Sequence, residues 1–338
     1  MSRMLSCAMV VCLSFGCSGE PVPTAAPEQE PKPNPAPKLA VRTEATATAF
    51  LEKFGGEVVR DEKLPGRPVI GVSLSDKKVT GKELIELAGF KNLATLGLTF
   101  TQVTDTDLKE LAALKGLTAL YLGHTAVTDA GLKVLASLVN LTTLHLSGTK
   151  VTDAGLQELV QLKNLTELNL DSTGVTDAGL RELSALSKLA RLNLWNTKVS
   201  GTGLKELSAL PRLTRLELQG AEVTSVGLKG ITALKNLTEL NLHNTKVTNA
   251  DLKEIAQLQH LTTLHLGATG VTGANLKELV ALKHLTTLHL SYAEVSDANL
   301  EELGALKNLS ALYLDNTKVT DDGVKELQKA LPKCKIEK

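Results

Sequence analysis

The chain has 338 residues, with 37 acidic and 37 basic side chains that leave no formal net charge at pH 7. This balance argues against general nucleic-acid binding and against a polybasic membrane patch, because both depend on an excess of positive charge. A hydrophobic content of 43% excludes global disorder. Leucine accounts for 65 residues and aromatic residues for only nine, so we expect a uniform, leucine-based packing unit.

The N-terminus has the features of an export signal. Arg3 is a short positive region, and residues 4–15 form a 12-residue, mostly apolar run. A transmembrane helix needs about 20 apolar residues, so this run is too short to span a bilayer. Its length fits the apolar region of a signal peptide. We therefore predict a signal peptide over residues 1–16.

The apolar run ends in Ser-Phe-Gly-Cys, which resembles the lipobox of bacterial lipoproteins. Gly16 and Cys17 match that pattern, whereas Ser14 stands where the family usually has leucine. The resemblance implies lipidation at Cys17 and a protein anchored at the cell envelope. Ordinary cleavage without a lipid, or no export at all, is the alternative.

A proline-rich linker follows the predicted anchor. Seven of the eleven prolines lie between Pro21 and Pro37, a composition that favours extended polyproline II. At about 3.1 Å per residue, the 19 residues from Glu20 to Lys38 would reach up to ~60 Å. We assign residues 17–40 to the lipid anchor and linker. Cys334 is the only cysteine outside the leader, so the body has no disulfide framework.

The body of the chain is one motif repeated every 24 residues without an insertion. The pattern is LTxLxLxxTxVTDAGLKELxxLKN, and a degenerate eleventh copy begins at Val69. A fixed period in this range indicates a solenoid. Each copy is numbered here from position 1, and the ten clear copies begin at Leu93, Leu117, Leu141, Leu165, Leu189, Leu213, Leu237, Leu261, Leu285 and Leu309.

Each half of the motif has its own periodicity. Leucines at positions 4 and 6 predict a short strand, and leucines at positions 16, 19 and 22 predict one face of a short helix. Position 12 is always Thr or Ser, and position 15 is Gly, Asn or Asp, so either position could cap the helix. Residues of the position-15 types also tolerate positive φ. Position 9 is usually Thr, and we expect looser turns where it is Ala221 or Ala293.

These residues resemble leucine-rich repeats, specifically the 24-residue VTDAGLKEL type of bacterial envelope proteins, some of them internalin-like. The resemblance implies an α/β solenoid of about eleven coils, with a parallel β-sheet on the concave face and short helices on the convex face. It implies an N-terminal cap over residues 41–68, a repeat domain over residues 69–327 and a C-terminal cap over residues 328–338.

Strand positions 3, 5 and 7 should point to the exposed face of the sheet, because positions 4 and 6 point into the core. The only Trp of the chain lies there between two arginines, and Trp, Tyr and Arg are enriched in interface hot spots. We predict a partner-binding surface on this face, and the alternative is an ordinary surface free to drift. Its predicted residues are Tyr121, Glu167, Arg191, Trp195, Arg215, Glu217, Glu239 and Tyr313.

Three histidines are weak candidates for a metal site. His265 and His289 occupy the same position on adjacent strands, about 5 Å apart, and His243 lies diagonally near. Imidazoles at that spacing could share a zinc ion. However, duplication of the string TTLHL already explains the shared position, and no carboxylate is placed to orient the rings. We therefore predict no metal and no cofactor.

No catalytic motif is present, neither a glycine-rich phosphate loop nor a GxSxG nucleophile elbow. We expect a non-enzymatic, monomeric protein-binding module, exported and lipid-anchored on the periplasmic or cell-surface side of the envelope. Its partner would be a protein rather than a nucleic acid, and it would meet the membrane through its lipid. The alternatives are a structural envelope spacer and a ubiquitin-ligase-adaptor-like substrate receptor, although residues 39–68 are too short for an F-box.

Overall fold

The computed structural model describes residues 43–338, so the predicted signal peptide, Cys17 and the proline-rich linker lie outside the described residues. Within residues 43–338, thirteen strands form one sheet whose spatial order follows the chain. The strands are β1 (Glu57–Arg60), β2 (Val69–Ser73), β3 (Thr95–Gly97), β4 (Ala119–Tyr121), β5 (Thr143–His145), β6 (Glu167–Asn169), β7 (Arg191–Asn193), β8 (Arg215–Glu217), β9 (Glu239–Asn241), β10 (Thr263–His265), β11 (Thr287–His289), β12 (Ala311–Tyr313) and β13 (Lys335–Glu337).

Short helices connect the strands. The α-helices are α1 (Glu44–Lys53), α2 (Gly81–Glu86), α3 (Asp129–Leu135), α4 (Asp153–Leu156), α5 (Asp177–Leu183), α6 (Ser225–Leu228), α7 (Leu252–Ile255), α8 (Leu300–Gly304) and α9 (Asp321–Ala330). The 3₁₀ helices are Leu87–Gly89, Asp107–Ala113, Gln157–Gln161, Leu204–Ala209, Lys229–Ala233, Asn249–Asp251, Leu276–Ala281 and Asp297–Asn299. One or two turns would not be stable alone, because helix nucleation is unfavourable, so these segments depend on packing.

The eleven strands from β2 to β12 run parallel at a period of 24 residues, which confirms the predicted solenoid. β1 precedes them and pairs antiparallel with β2. Leucines at the predicted strand and helix positions form one continuous core, and most of them are completely buried. Truncating such a leucine to alanine typically costs about 2–5 kcal/mol of folding stability.

The left-handed backbone conformation recurs at one repeat position. Position 8, directly after the strand, has positive φ in all eleven copies of the described chain, from Asp76 to Asn316. Position 15, whose residue types also tolerate positive φ, adopts it only at Asn275. At position 8 the chain leaves the strand and turns toward the helix side, so the left-handed residue is required by the turn.

The threonines at position 9 bond within their own coil. In eight copies the hydroxyl donates to the carbonyl oxygen three residues earlier, at 2.6–2.7 Å. Ala221 and Ala293 have no hydroxyl, but their backbone N–H groups donate to the same carbonyls at 3.0 and 2.9 Å. The expectation of looser turns at these two positions is therefore wrong, since the carbonyl is satisfied in both cases.

In most copies the N-cap of the helix is the residue at position 12. The backbone N–H of this residue donates a hydrogen bond to a side chain. Asp129, at position 13, accepts from Thr152 N at 2.8 Å and from Thr152 Oγ1 at 2.7 Å in the following coil. Six of the ten interfaces between described coils are bridged in this way, by Asp105, Asp129, Asp153, Asp177, Asn249 and Asp297. The Asp at position 13 therefore bridges two coils and also places a favourable negative charge at a helix N-terminus.

The glycine at position 15 makes room for this bridge. A Cβ atom at Gly179 would collide with Asp153 Oδ1 of the preceding coil. Three interfaces use the reverse arrangement, with a small residue at position 13 and the acceptor at position 15 of the next coil. The pairs are Gly81 with Asp107, Ser225 with Asp251, and Gly273 with Asn299. Position 13 of one coil and position 15 of the next coil therefore meet at one site. This site, called here the acceptor site, has room for one side chain that accepts from the backbone N–H of position 12.

Both ends of the described solenoid are covered. At the N-terminal end, Ala47 and Leu51 of α1 join the core, and Arg60 pairs with Glu44 at 2.8 Å. At the C-terminal end, Cys334 is buried, as expected for a small apolar cap residue, and burial raises the pKa of its thiol. Within residues 43–338, no helix combines the length and apolar character needed to cross a bilayer.

The shared acceptor site predicts the outcome of a swap. Asp153→Ala should lower the free energy of unfolding by about 1–2 kcal/mol, since it removes the acceptor for the backbone N–H and the hydroxyl of Thr176. Gly179→Asp alone should also destabilise, because its side chain would meet Asp153. The double variant Asp153→Gly/Gly179→Asp reproduces the arrangement of Gly81 and Asp107, so it should recover most of the loss in urea unfolding.

The matched control is Asp322→Ala, because Asp322 is an exposed first-turn acid that pairs only with Lys325 in the same helix. This change should stay within about 0.5 kcal/mol of the wild type. Additive losses in the double variant would contradict a shared site.

Candidate partner-binding surface on the sheet

One side of the sheet packs against the helices and the other side, called here the open face, is exposed. In most of the short strands the middle residue is buried and its two neighbours are partly or fully exposed, as in β6 and β9. Since side chains alternate along a strand, positions 3 and 5 point to the open face. Parallel pairing brings equal positions of successive copies side by side, so that Arg191 neighbours Glu167 and Arg215.

A depression of about 450 Å³ lies on the open face across β6, β7 and β8. Five of the eight predicted binding residues line it: Glu167, Arg191, Trp195, Arg215 and Glu217. Amide side chains supply much of the remaining lining, from Asn169, Asn193 and Gln219. The strand register therefore brings together residues that are up to 52 positions apart in the sequence, from Glu167 to Gln219.

Two groups of ion pairs fix the charged side chains of this depression. Arg191 donates to Glu167 Oε2 from Nε at 2.9 Å and from Nη2 at 2.6 Å. The other oxygen of Glu167 lies 3.0 Å from His145 Nε2. Burial alone would raise the pKa of Glu167, but the hydrogen bonds from Arg191 and His145 lower it below its ordinary value.

The second group is centred on Arg215. Its Nε donates to Glu217 Oε1 at 2.8 Å, and its Nη1 lies 2.9 Å from Glu239 Oε2 on the next strand. The side chains of Arg191 and Arg215 remain 55% and 48% exposed, so each guanidinium still has donors that face solvent. Exposed ion pairs contribute at most about 1 kcal/mol each, so their main effect is to orient the arginines.

Trp195 lies at the edge of the depression with 44% of its surface exposed. Asn193 Oδ1 accepts a hydrogen bond from the Trp195 backbone N–H at 2.9 Å and holds the strand end. A Cβ atom at Gly220 would lie 3.4 Å from Trp195 Nε1, so the indole rests over this glycine of the next coil. Gly220 also has a φ of 64°, the left-handed conformation that position 8 requires.

Two predicted residues lie away from the depression. Tyr121, on β4, packs edge-on against His145 with ring centroids 4.7 Å apart, and it lines a separate hollow near β1 to β3. Tyr313, on β12, stacks on His289 with centroids 4.0 Å apart. The structure therefore separates both tyrosines from the arginine cluster by several strands.

The histidine column forms a stack. The rings of His265 and His289 are 3.9 Å apart and within 7° of parallel, so their nitrogens do not converge on one point. Residues 43–338 contain no group of three metal-ligating side chains arranged around a possible ion. Burial lowers the pKa of His243 and of His265, and burial together with the His265 ring lowers the pKa of His289 to about 4.

Sequence reasoning missed a set of aromatic residues at position 8. Phe100 and Tyr292 have φ values of 56° and 63°, and 56% and 61% of their surfaces are exposed. His124, at the same position, stacks on Phe100 with centroids 4.3 Å apart. The signal was visible in the sequence, because most other copies have Gly, Asn, Asp, Ser or Ala at this position.

The stacked histidines predict a pH effect on stability. Because the folded pKa of His289 is below its ordinary value of 6.5, the unfolded chain binds a proton first as the pH falls. Unfolding free energy should therefore decrease as the pH falls from about 6.5 towards 4. His289→Phe keeps a ring against Tyr313 and should remove this part of the pH dependence.

The measurement is urea unfolding at a series of pH values, combined with an NMR titration of the ring protons of His289. A His289 pKa at its ordinary value would contradict the stacked, neutral arrangement.

Comparison with known proteins places this geometry in context. A search of curated protein sequences found no match. Among solved structures, an internalin from Listeria monocytogenes is 21% identical, with a TM-score of 0.57 over 86% of this chain and 93% of that chain. An internalin C2 from the same organism is 27% identical, with a TM-score of 0.49 over 64% and 84%. The PEPR1–AtPEP1 structure is 19% identical, with a TM-score of 0.50 over 80% and 42%.

The likeness to the first internalin and to PEPR1–AtPEP1 concerns the fold alone. Residues 80–336, about three quarters of the chain, match the family described as the leucine-rich repeat region. This match covers the ten strands from β3 to β12 and both the helical and the strand halves of the motif. The chain therefore belongs to the leucine-rich repeat family.

Proposed function

We propose that the chain is a non-enzymatic binding protein that holds a protein partner on the open face of its sheet. The observation that carries this proposal is the depression across β6 to β8, which unites two half-exposed arginines with the only Trp of the chain. Leucine-rich repeats are commonly protein-interaction modules, and their stacked coils provide extended binding surfaces.

The depression has the properties of a preorganised interface. Glu167 holds Arg191 through two hydrogen bonds, while Glu217 and Glu239 hold Arg215 from two sides. A partner that binds there has less side-chain entropy to remove, because these long side chains are already ordered. Trp195 adds a large, rigid apolar surface beside them, which is the composition typical of interface hot spots.

Export and lipid attachment complete the proposal. The apolar leader and the Gly16-Cys17 pair support a lipid anchor, and the proline-rich stretch to Pro37 would separate the repeats from the bilayer. In this arrangement the protein acts at the cell envelope as a tethered monomer.

Charge reversal in the depression tests the binding role. The variant Arg191→Glu/Trp195→Ala/Arg215→Glu should lose a partner that wild type captures by cross-linking in intact envelopes. The captured protein would then be purified, and its affinity should fall at least about 100-fold, since hot-spot residues each contribute about 2 kcal/mol or more.

The matched control changes the helix side of the same coils by the same charge. Lys205→Glu/Val226→Ala/Lys229→Glu replaces two exposed lysines and an exposed apolar residue, and it should bind like wild type. Equal binding by both variants would favour the structural-spacer alternative.

Replacing the predicted anchor tests localisation. Wild-type protein made in a bacterial host should incorporate a labelled fatty acid and partition into detergent, whereas Cys17→Ala should do neither. Cys334→Ala serves as the control, because that thiol is buried in the C-terminal cap. Equal labelling of wild type and Cys17→Ala would rule out a lipid at Cys17.

A further inference from the structure

A row of exposed aromatic side chains follows the edge of the open face where the strands end. We call Phe100, His124, Trp195 and Tyr292 the aromatic row. Three of them occupy position 8, where the turn demands positive φ, a conformation that is a clear outlier for bulky side chains. Asn244 and Asn316 occupy the same position in other copies, and Asn tolerates the left-handed region well.

Neither the strain nor the exposure of the aromatic row helps the solenoid fold. Phe100 and Tyr292 expose 56% and 61% of their surfaces, so they contribute little to the core. The other copies of the repeat have Asp, Gly, Ser, Asn or Ala at position 8, so small residues are sufficient to form this turn. Residues that combine backbone strain with exposed apolar surface are typical of binding sites, because selection for a ligand can offset both penalties.

Three members of the aromatic row contact the following coil, and Phe100 does so by its stack on His124. His124 lies against Gly148, and Trp195, at position 7, lies over Gly220. Both glycines are at position 8 of the next copy, where any larger side chain would meet the ring. The row therefore runs across the strands, parallel to the direction in which the coils stack.

Three members of the aromatic row are regularly spaced. Phe100, Trp195 and Tyr292 belong to copies that are four coils apart in each case. With neighbouring strands about 4.8 Å apart, each interval is ~19 Å and the whole row spans ~38 Å. Three rings at such intervals do not form a continuous apolar patch, and the positions between them are polar, with Ser172, Asn196, Gln219, His243 and Asn244.

The charge of this edge limits the class of ligand. Positions 7 and 8 contain no Lys or Arg in any of the eleven copies, so the edge offers no cation to a polyanion. Sugar rings present a C–H face that packs on aromatic rings and hydroxyl groups that pair with amides, hydroxyls and carboxylates. The rise of one pyranose unit in an extended glycan is close to the ~4.8 Å between strands, so about one sugar would lie over each coil.

We infer that the aromatic row binds a neutral, linear polysaccharide laid across the coils, with separate sugar units packed on Phe100, Trp195 and Tyr292. This ligand is additional to the proposed protein partner, and only Trp195 belongs to both surfaces. Phe100 and Tyr292 lie outside the arginine depression, so the two functions can be tested independently.

The test is isothermal titration calorimetry of the full-length protein with neutral β-1,4-linked oligosaccharides of glucose, N-acetylglucosamine, mannose and xylose. A hexaose is long enough to reach two rings of the row, whereas a triose reaches one. We expect at least one hexaose to bind about tenfold or more tightly than its triose, and Phe100→Asn/Tyr292→Asn should reduce the hexaose affinity to that of the triose.

The melting temperature separates a binding role from a structural one. Asn suits positive φ better than Phe or Tyr, and relief of this strain should outweigh the loss of the stack between Phe100 and His124. The double variant should therefore melt at the same temperature as wild type or higher. The control Val139→Asn/Val226→Asn replaces exposed apolar residues outside the row and should leave glycan affinity unchanged.

Three results would overturn the inference: no binding of any of these hexaoses to wild type, unchanged hexaose affinity in Phe100→Asn/Tyr292→Asn, or a lowered melting temperature in that variant. Loss of the cross-linked protein partner in the same variant, without glycan binding, would assign the row to the protein instead. Capture of the partner by Arg191 and Arg215 is measured separately, so failure of one proposal leaves the other intact.

Discussion

The helix side of the solenoid depends on a hydrogen bond to the backbone N–H of repeat position 12. Most of the helices have only one or two turns, so they need external hydrogen bonds and packing to form. In six interfaces the acceptor for this N–H comes from the preceding coil, as Asp129 shows with Thr152. A coil therefore completes the helix of its neighbour, which links the folding of each coil to the next and gives the array its nearest-neighbour stability.

The interface between the copies that begin at Leu189 and Leu213 departs from this rule. Gly201 and Gly227 occupy both halves of the acceptor site, so no side chain fills it, and Thr224 N donates to the Ser200 carbonyl at 3.1 Å instead. The same two coils carry Arg191, Trp195 and Arg215 on the open face. The strongest candidate for a binding site thus lies between two coils whose acceptor site holds a backbone hydrogen bond in place of a side-chain bridge.

The 24-residue periodicity predicted the strands, the core leucines and the two faces of the solenoid, because these features depend on residues that lie within one copy of the motif. It also predicted that Arg191, Trp195 and Arg215 would meet, since equal repeat positions align across a parallel sheet. It could not predict the bridge from Asp129 to Thr152, because that bond joins residues 23 apart whose approach depends on how coils stack. The abundance of Gly, Asn and Asp at position 15 left open whether the helix cap lies there or at position 12, whereas in the structure most of these residues serve the acceptor site.

Duplication of the repeat explains the presence of some exposed side chains but not of others. His265 and His289 sit in identical strings, so their stack needs no function beyond the shared ancestry of the copies. Phe100 and Tyr292 differ from this case, because each replaces a turn residue that the backbone prefers and exposes an apolar ring. Drift alone should remove such residues, since a change to Asn would relieve the strain and would lose little packing beyond the stack of Phe100 on His124. Their presence at regular intervals along one edge is the reason to seek a ligand there.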